Sequence, residues 1–114
     1  MRPTRPISWF TPARKAFDAF PDGARERIID ALTVAAEGGK ADIAKPMKGL
    51  GSGVFEVALP YRGDAFRTVY AVQFGDDIWV VHAFQKKSKK GRETPKQEID
   101  LVKERLKRLK EILK

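Results

Sequence analysis

Two β-rich runs, Phe66–Phe74 (FRTVYAVQF) and Ile78–Phe84 (IWVVHAF), are separated only by Gly75-Asp76-Asp77. Three residues of turn chemistry leave no room for a crossover, so the two runs must fold back on each other as an antiparallel hairpin. A third run, Val54–Leu59 (VFEVAL), alternates ahead of them, and Pro60 with Tyr61-Arg62-Gly63-Asp64 supplies the turn between. The centre of the chain is therefore a meander of three antiparallel strands. With the three-residue turn as the tight loop, Phe74 faces Ile78, Val72 faces Val80 and Tyr70 faces His82. Arg67 then stands opposite Gln85 on the other face.

The flanks read as helices. Ile7–Phe10 forms a short opening strand. Thr11 follows as a candidate cap, with Pro12 at the first helical position, where its missing N–H costs nothing. Ala13, Phe17 and Phe20 give this helix a narrow apolar face before Pro21 stops it. Asp22 is the next candidate cap; Ile28, Ile29, Leu32, Ala35 and Ala36 follow at helical spacing, and Gly38-Gly39 closes the run. Residues 40–53, with Pro46, Gly49, Gly51 and Gly53, read as a loop. Beyond the meander, residues 85–92 (QKKSKKGR) form a basic loop. Thr94-Pro95-Lys96-Gln97 then combines a capping box with Pro at the first helical position. Ile99, Val102, Leu106, Leu109 and Leu113 supply one apolar stripe to the last helix. The order β-α-α-β-β-β-α is that of one α+β domain spanning residues 1–114. Two N-terminal helices pack on a small, twisted, mainly antiparallel sheet, joined by a C-terminal helix.

Composition narrows the function. Lys and Arg number 23 against 15 acids, a net charge of +8 and a pI near 9.9, so the chain attracts polyanions. Nucleic acid, ribosome, anionic membrane and acidic protein all meet that condition. The absence of cysteine excludes disulfides and thiolate metal sites, and a lone histidine leaves little for any other transition metal, so neither metal nor cofactor is expected. No apolar run approaches the roughly 20 residues that span a bilayer. The start, MRPTRPISWF, lacks the apolar stretch of a secretion signal, so the expected compartment is the cytoplasm, with no membrane partner.

Three segments in this order resemble a known family: the Lys-Pro-x-Lys-Gly-Leu loop (Lys45–Leu50), Phe66-Arg67-Thr68-Val69-Tyr70, and His82-Ala83-Phe84-Gln85-Lys86-Lys87-Ser88 followed by Thr94-Pro95 and a charged helix. Across residues 45–106 the chain resembles the HigB/Tad-like, phage-derived (host-killer-like) branch of the RelE/ParE toxins of type II toxin–antitoxin systems. The resemblance implies a RelE-like fold and a cognate antitoxin partner, usually a helix-turn-helix, HigA-like protein. It also implies ribosome-dependent endonucleolytic cleavage of mRNA, the work of an mRNA interferase that inhibits translation. Relatives that inhibit DNA gyrase leave a non-cleaving alternative open, as does a plain basic nucleic-acid-binding phage protein.

RNA is cut without metal when the 2′-hydroxyl attacks the neighbouring phosphate. The protein must then accept a proton, stabilise the phosphorane and protonate the leaving oxygen. Arg67 is the first candidate: an arginine inside an apolar strand must meet a partner or line a cleft, and the matching position in the resemblance contacts the scissile phosphate. Its bland alternative is a pair with Glu56, itself the acidic candidate for a general base; one pair can serve both readings. Lys86 is a catalytic candidate, with Lys87, Lys89, Lys90 and Arg92 gripping RNA backbone; a solvated charge run is the alternative. The resemblance also points to Lys48 as a phosphate contact or proton donor, with Lys45 beside it. His82 titrates near neutrality and is a candidate acid or base, against a hydrogen-bonded core histidine. Arg62, in the turn, either steers RNA or is merely exposed. Some RelE relatives stack a tyrosine from near the carboxyl end on a base; here no tyrosine follows Tyr70, which leaves Phe84 or Trp79 for that role.

Overall fold

The computed structural model describes residues 4–86 and 94–113. Its elements are β1 (Ile7–Trp9), α1 (Thr11–Asp18), α2 (Asp22–Ala36), β2 (Ala44–Pro46), β3 (Val54–Tyr61), β4 (Asp64–Ala71), β5 (Ile78–Lys86) and α3 (Lys96–Ile112). Among the described residues the five strands form one sheet in the order β1-β5-β4-β3-β2. β2 to β5 pair antiparallel, and β1 lies parallel against β5. The expected α+β architecture is present, and the meander is β3-β4-β5.

Apolar residues at helical and alternating spacing meet across the sheet. On one face α1 and α2 bury Ala13, Phe17, Ile28 and Leu32 against Val57, Leu59, Phe66, Tyr70, Ile78 and Val80. On the other face Val102, Leu106 and Leu109 of α3 cover Val54, Val69, Ala71 and Val81. Each fully buried aliphatic side chain contributes roughly 1.5–3 kcal/mol. Burial also pushes the Tyr70 hydroxyl up to about 12, and its ring stacks on Phe55 at 5.4 Å, so Tyr70 is a packing residue.

Several sequence expectations shift. Residues 40–53 contain a strand, β2, which is only three residues long and carries Pro46. Proline is tolerated there because β2 is an edge with a single hydrogen-bonded neighbour. The first hairpin closes in two residues rather than four. Tyr61 pairs with Asp64, and Arg62 (φ 52°) and Gly63 (φ 87°) both take the left-handed conformation of a type I′ turn. Thr11 and Asp22 lie inside their helices, and neither α1 nor α2 has a side-chain cap. The end of α2 is as expected: Gly38 takes φ 94° and bonds to the Ala35 carbonyl, while Gly39 bonds to that of Val34, a Schellman closure.

The expected β4–β5 register is also corrected. Tyr70 pairs with Val80, His82 with Val69, and Arg67 with Phe84 rather than Gln85. The cause lies at the turn. The Arg5 guanidinium donates to the carbonyls of Val72, Gly75, Asp76 and Asp77, at 2.7–3.3 Å, and so holds these residues out of the ladder. A bulge beside Val69/Tyr70 then accommodates Val81 as an extra residue. It turns two consecutive side chains toward α3: Val81 enters the α3 core, and His82 bonds to α3 side chains.

Candidate functional site

Among the described residues the apolar contacts of α3 end level with Val69 and Val81 and do not reach the part of this sheet face nearer the β3–β4 hairpin. Cross-strand pairing sets that face out in three rows: Lys45–Glu56–Val69–His82, then Ala58–Arg67–Phe84, then Pro60–Ala65–Lys86. A concavity of about 520 Å³ lies over it, lined by Lys45, Glu56, Ala58, Pro60, Ala65 and Arg67 among others. Ala58 and Ala65 are small, and that leaves the floor low between the charged groups.

Arg67 and Glu56 form the centre. The Arg67 Nη1 donates to Glu56 Oε1 at 3.0 Å, and the two side chains are 7% and 12% exposed. Thr94 Oγ1 donates to Glu56 Oε2 at 2.8 Å and accepts from Arg67 Nη1 at 3.3 Å, closing a three-membered ring. Arg67 therefore both pairs with Glu56 and lines a cleft. The concavity thus brings a guanidinium and a carboxylate, one a donor and one an acceptor, side by side at its wall.

A second cluster borders the first. His82 Nε2 lies 2.6 Å from Glu98 Oε1, and its Nδ1 lies 3.0 Å from Arg105 Nη1, which also donates to the Val81 carbonyl at 2.8 Å. Arginine has no acceptor, so Nδ1 must accept and Nε2 must carry the proton donated to Glu98. Burial holds the imidazole below its usual pKa despite Glu98, which favours this neutral form. Both ring nitrogens are engaged in tying β5 to α3. Phe84 stacks on His82 at 5.1 Å and belongs to neither apolar core, whereas Trp79 packs edge-on against Phe10 within the α3 core.

The remaining candidates divide. Lys45 is exposed and stands opposite Glu56 at the concavity, and Lys86 stands opposite Ala65 on the same face. Arg62 lies at the hairpin tip with its guanidinium over the Tyr61 ring, at 5.2 Å. Lys48 is exposed in the loop beyond β2 and does not line the concavity. Its loop follows β2 past Val54, two residues along β3 from Glu56, or about 7 Å of strand. Lys87, Lys89, Lys90 and Arg92 lie outside the described residues. Sequence reasoning missed Thr94, Glu98 and Arg105. Thr94 precedes Pro95 and read as a helix cap, yet α3 has no side-chain cap and the Thr94 hydroxyl is spent on the site. Among the described residues no group of three or more His, Cys, Asp or Glu gathers as a metal site, and no helix is long and apolar enough to cross a membrane.

Residues 15–107 match the family described as phage-derived protein Gp49-like (DUF891), which covers most of the chain. The chain belongs to the phage-derived Gp49-like family. No curated protein matches it. Its fold is RelE-like. It superposes on the isolated RelE toxin of E. coli with a TM-score of 0.58 and 18% identity, covering 92% of this chain and 98% of that one. It superposes on a chain of the RelBE2 toxin–antitoxin complex of Mycobacterium tuberculosis with a TM-score of 0.51 and 14% identity, covering 75% and 94%. The Gp49-like chain thus carries its Arg67–Glu56–Thr94 ring, with Arg67 buried and the other two half-buried, on the α3 side of the sheet of a RelE-like scaffold.

Proposed function

We propose that this protein is the toxin of a type II toxin–antitoxin pair, a ribosome-dependent endoribonuclease that cuts mRNA in the cytoplasm and is silenced by a cognate antitoxin of helix-turn-helix, HigA-like type. The observation that carries the reading is Arg67, buried and fixed beside a carboxylate at the wall of an open concavity on a chain with a net charge of +8. A RelE-like fold and Gp49-like membership support it, as does the toxin–antitoxin complex among the structural neighbours.

In this reading Arg67 binds the scissile phosphate and stabilises the charge of the phosphorane. Glu56 accepts the proton of the attacking 2′-hydroxyl, the 2′-oxygen bonds to phosphorus, and the bond to the 5′-oxygen breaks. Lys86 is the cation placed to protonate or neutralise that leaving oxygen, and Lys45 holds the adjoining backbone. Phe84, outside both cores and beside Arg67, is the face on which a base stacks. His82 serves as the tie to α3 and not as the proton carrier, because both of its nitrogens are engaged.

Lys48, which does not line the concavity, is the feature that favours the non-cleaving alternative in which DNA gyrase is the target. Inducible expression of wild type beside Arg67→Ala, at equal folded protein and with cellular 5′ ends mapped, decides between them. Growth arrest with new ends inside translated messages, lost in the variant, supports cleavage. Arrest without new ends refutes it in favour of gyrase or another target, and no arrest leaves an inert copy or a plain binding protein.

A further inference from the structure

We propose that Thr94 is a positioning residue of this site, whose hydroxyl holds the Glu56 carboxylate and the Arg67 guanidinium in their working orientation. The inference deepens the reading of Glu56 as base and Arg67 as phosphate ligand and rests on it. Three features of Thr94 carry it.

First, its hydroxyl does two things at once: it donates to Glu56 Oε2 at 2.8 Å and accepts from Arg67 Nη1 at 3.3 Å. Lysine and arginine can only donate and an ionised carboxylate can only accept, so a hydroxyl is the small group that serves both partners here. Second, Thr94 immediately precedes Pro95, which is held at φ −58° and accepts from the backbone of Glu98 and Ile99 as α3 begins. Proline narrows the backbone freedom of the residue before it, so the hydroxyl is delivered from a stiff point. Third, Thr94 does not occupy the cap position of α3, which falls on Pro95, so its hydroxyl is turned to Glu56 and Arg67 instead.

The ring also explains how Glu56 stays available when substrate enters. A phosphate arriving at Arg67 competes with Glu56 Oε1 for the guanidinium. Oε2 keeps its bond from Thr94, so the carboxylate remains anchored with Oε1 turned to the incoming 2′-hydroxyl. Among the described residues the other charged and titratable groups around Glu56 are Lys45 across β2, Asp42 on the wall of the same concavity, Arg67 across β4, and His82, itself bonded to Glu98 and Arg105 of α3. Thr94→Val removes the hydroxyl, with its bonds to both Glu56 and Arg67, at nearly constant side-chain volume, and Thr94→Ser keeps the hydroxyl.

Two readouts on Thr94→Val and Thr94→Ser test this. The first is the pH dependence of the Glu56 carboxyl carbon signal in the isotopically labelled full chain. Losing a donated hydrogen bond disfavours the carboxylate, so the signal should turn over at higher pH in Thr94→Val and return to the wild-type position in Thr94→Ser. This needs no activity, so it decides the Thr94–Glu56 link even if the protein cleaves nothing. The second is single-turnover cleavage of a message on ribosomes. Thr94→Val should slow the cut about 10- to 100-fold with little change in half-saturating protein, and should move the acid limb of the pH–rate profile upward; Thr94→Ser should restore both. An unchanged Glu56 titration in Thr94→Val overturns the positioning role. So does a cleavage profile that keeps its shape, or a serine variant that rescues nothing. A shifted titration with full cleavage by Glu56→Gln instead overturns the reading of Glu56 as base and leaves the Thr94–Glu56 link standing.

Discussion

The Arg67–Glu56 pair makes a prediction that separates folding from function. Nη1 and Oε1 are 3.0 Å apart with side chains 7% and 12% exposed. At an effective dielectric of about 20 their attraction is about 5–6 kcal/mol, and the cost of removing both ions from water offsets much of it. Removing one partner forfeits the attraction and leaves the other ion buried. Arg67→Met and Glu56→Leu should therefore each cost about 3–5 kcal/mol. A domain of this size is stable by only about 5–15 kcal/mol, so either single variant approaches unfolding under mild stress. The double variant removes both buried charges together and should lie within about 2 kcal/mol of wild type, about 1 kcal/mol of which comes from the orphaned Thr94 hydroxyl. Urea unfolding of the four proteins with a common m-value measures the cycle. The double variant is then the cleaner inactive control: folded, without a phosphate ligand, and expected not to arrest growth. Single-variant losses below about 1 kcal/mol would mean that the pair behaves as a solvated surface pair. A double loss equal to the sum of the singles would mean that the two residues act independently. Either result refutes the reasoning.

Three further outcomes follow from the packing. Burial holds His82 below its ordinary value of 6.5, so on acidification the unfolded chain takes up that proton first. Its contribution to stability is therefore full above about pH 6.5 and is lost as pH falls from there toward the lower folded value, with a slope of at most about 1.4 kcal/mol per pH unit. Melting temperatures between about pH 7.5 and 5.5 should fall more steeply for wild type than for His82→Gln, and parallel curves would count against a buried neutral imidazole. Gly23→Ala normally gains about 1 kcal/mol in a helix, but here the new Cβ would run into the Tyr61 hydroxyl and lie 3.0 Å from its Cζ. A net loss of about 1–2 kcal/mol, partly recovered by adding Tyr61→Phe, is expected from denaturant melts, and a stabilised Gly23→Ala would contradict the packing. Thr68 is fully buried with no hydrogen-bond partner for its hydroxyl among the described residues, so Thr68→Val should stabilise by about 1 kcal/mol in the same assay; a loss would reveal a partner for that hydroxyl.

Periodic features of the fold were legible, and features set by long-range partners were not. Phe17, Ile28, Leu32, Val102, Leu106 and Leu109 are buried where helical spacing placed them, and the meander appears where alternation placed it. Ile29, assigned to the same stripe, is 38% exposed, because it falls at the edge of the buried face of α2. The register of β5 was misplaced because Arg5, some seventy residues upstream, takes the carbonyls of the β4–β5 turn; no local pattern reports such a contact. β2 was missed for the opposite reason, since three residues including a proline carry too little periodicity to register. In the site, Arg67 and Glu56 were visible as charges out of place in apolar strands. Thr94, Glu98 and Arg105 were hidden among the polar residues at the start and along the charged face of a helix, where such residues are common.

The position of the site follows from how far α3 reaches. Its apolar stripe covers one sheet face as far as Val69 and Val81 and no farther, because the helix begins at Lys96 with Thr94-Pro95 just ahead of it. Strand residues past that edge are not covered by the apolar stripe of α3, yet they must still alternate on the same face, and in this chain they are Ala58, Arg67 and Phe84, then Pro60, Ala65 and Lys86. Bonds from the helix compensate for the missing cover: Thr94 to Glu56 and Arg67, Glu98 and Arg105 to His82. The same groups that complete the docking of α3 therefore orient the charges of the concavity. A substitution that loosens the first turns of α3, such as Glu98→Ala, should blunt the site without touching it, and should do so in proportion to the loss of the His82 tie.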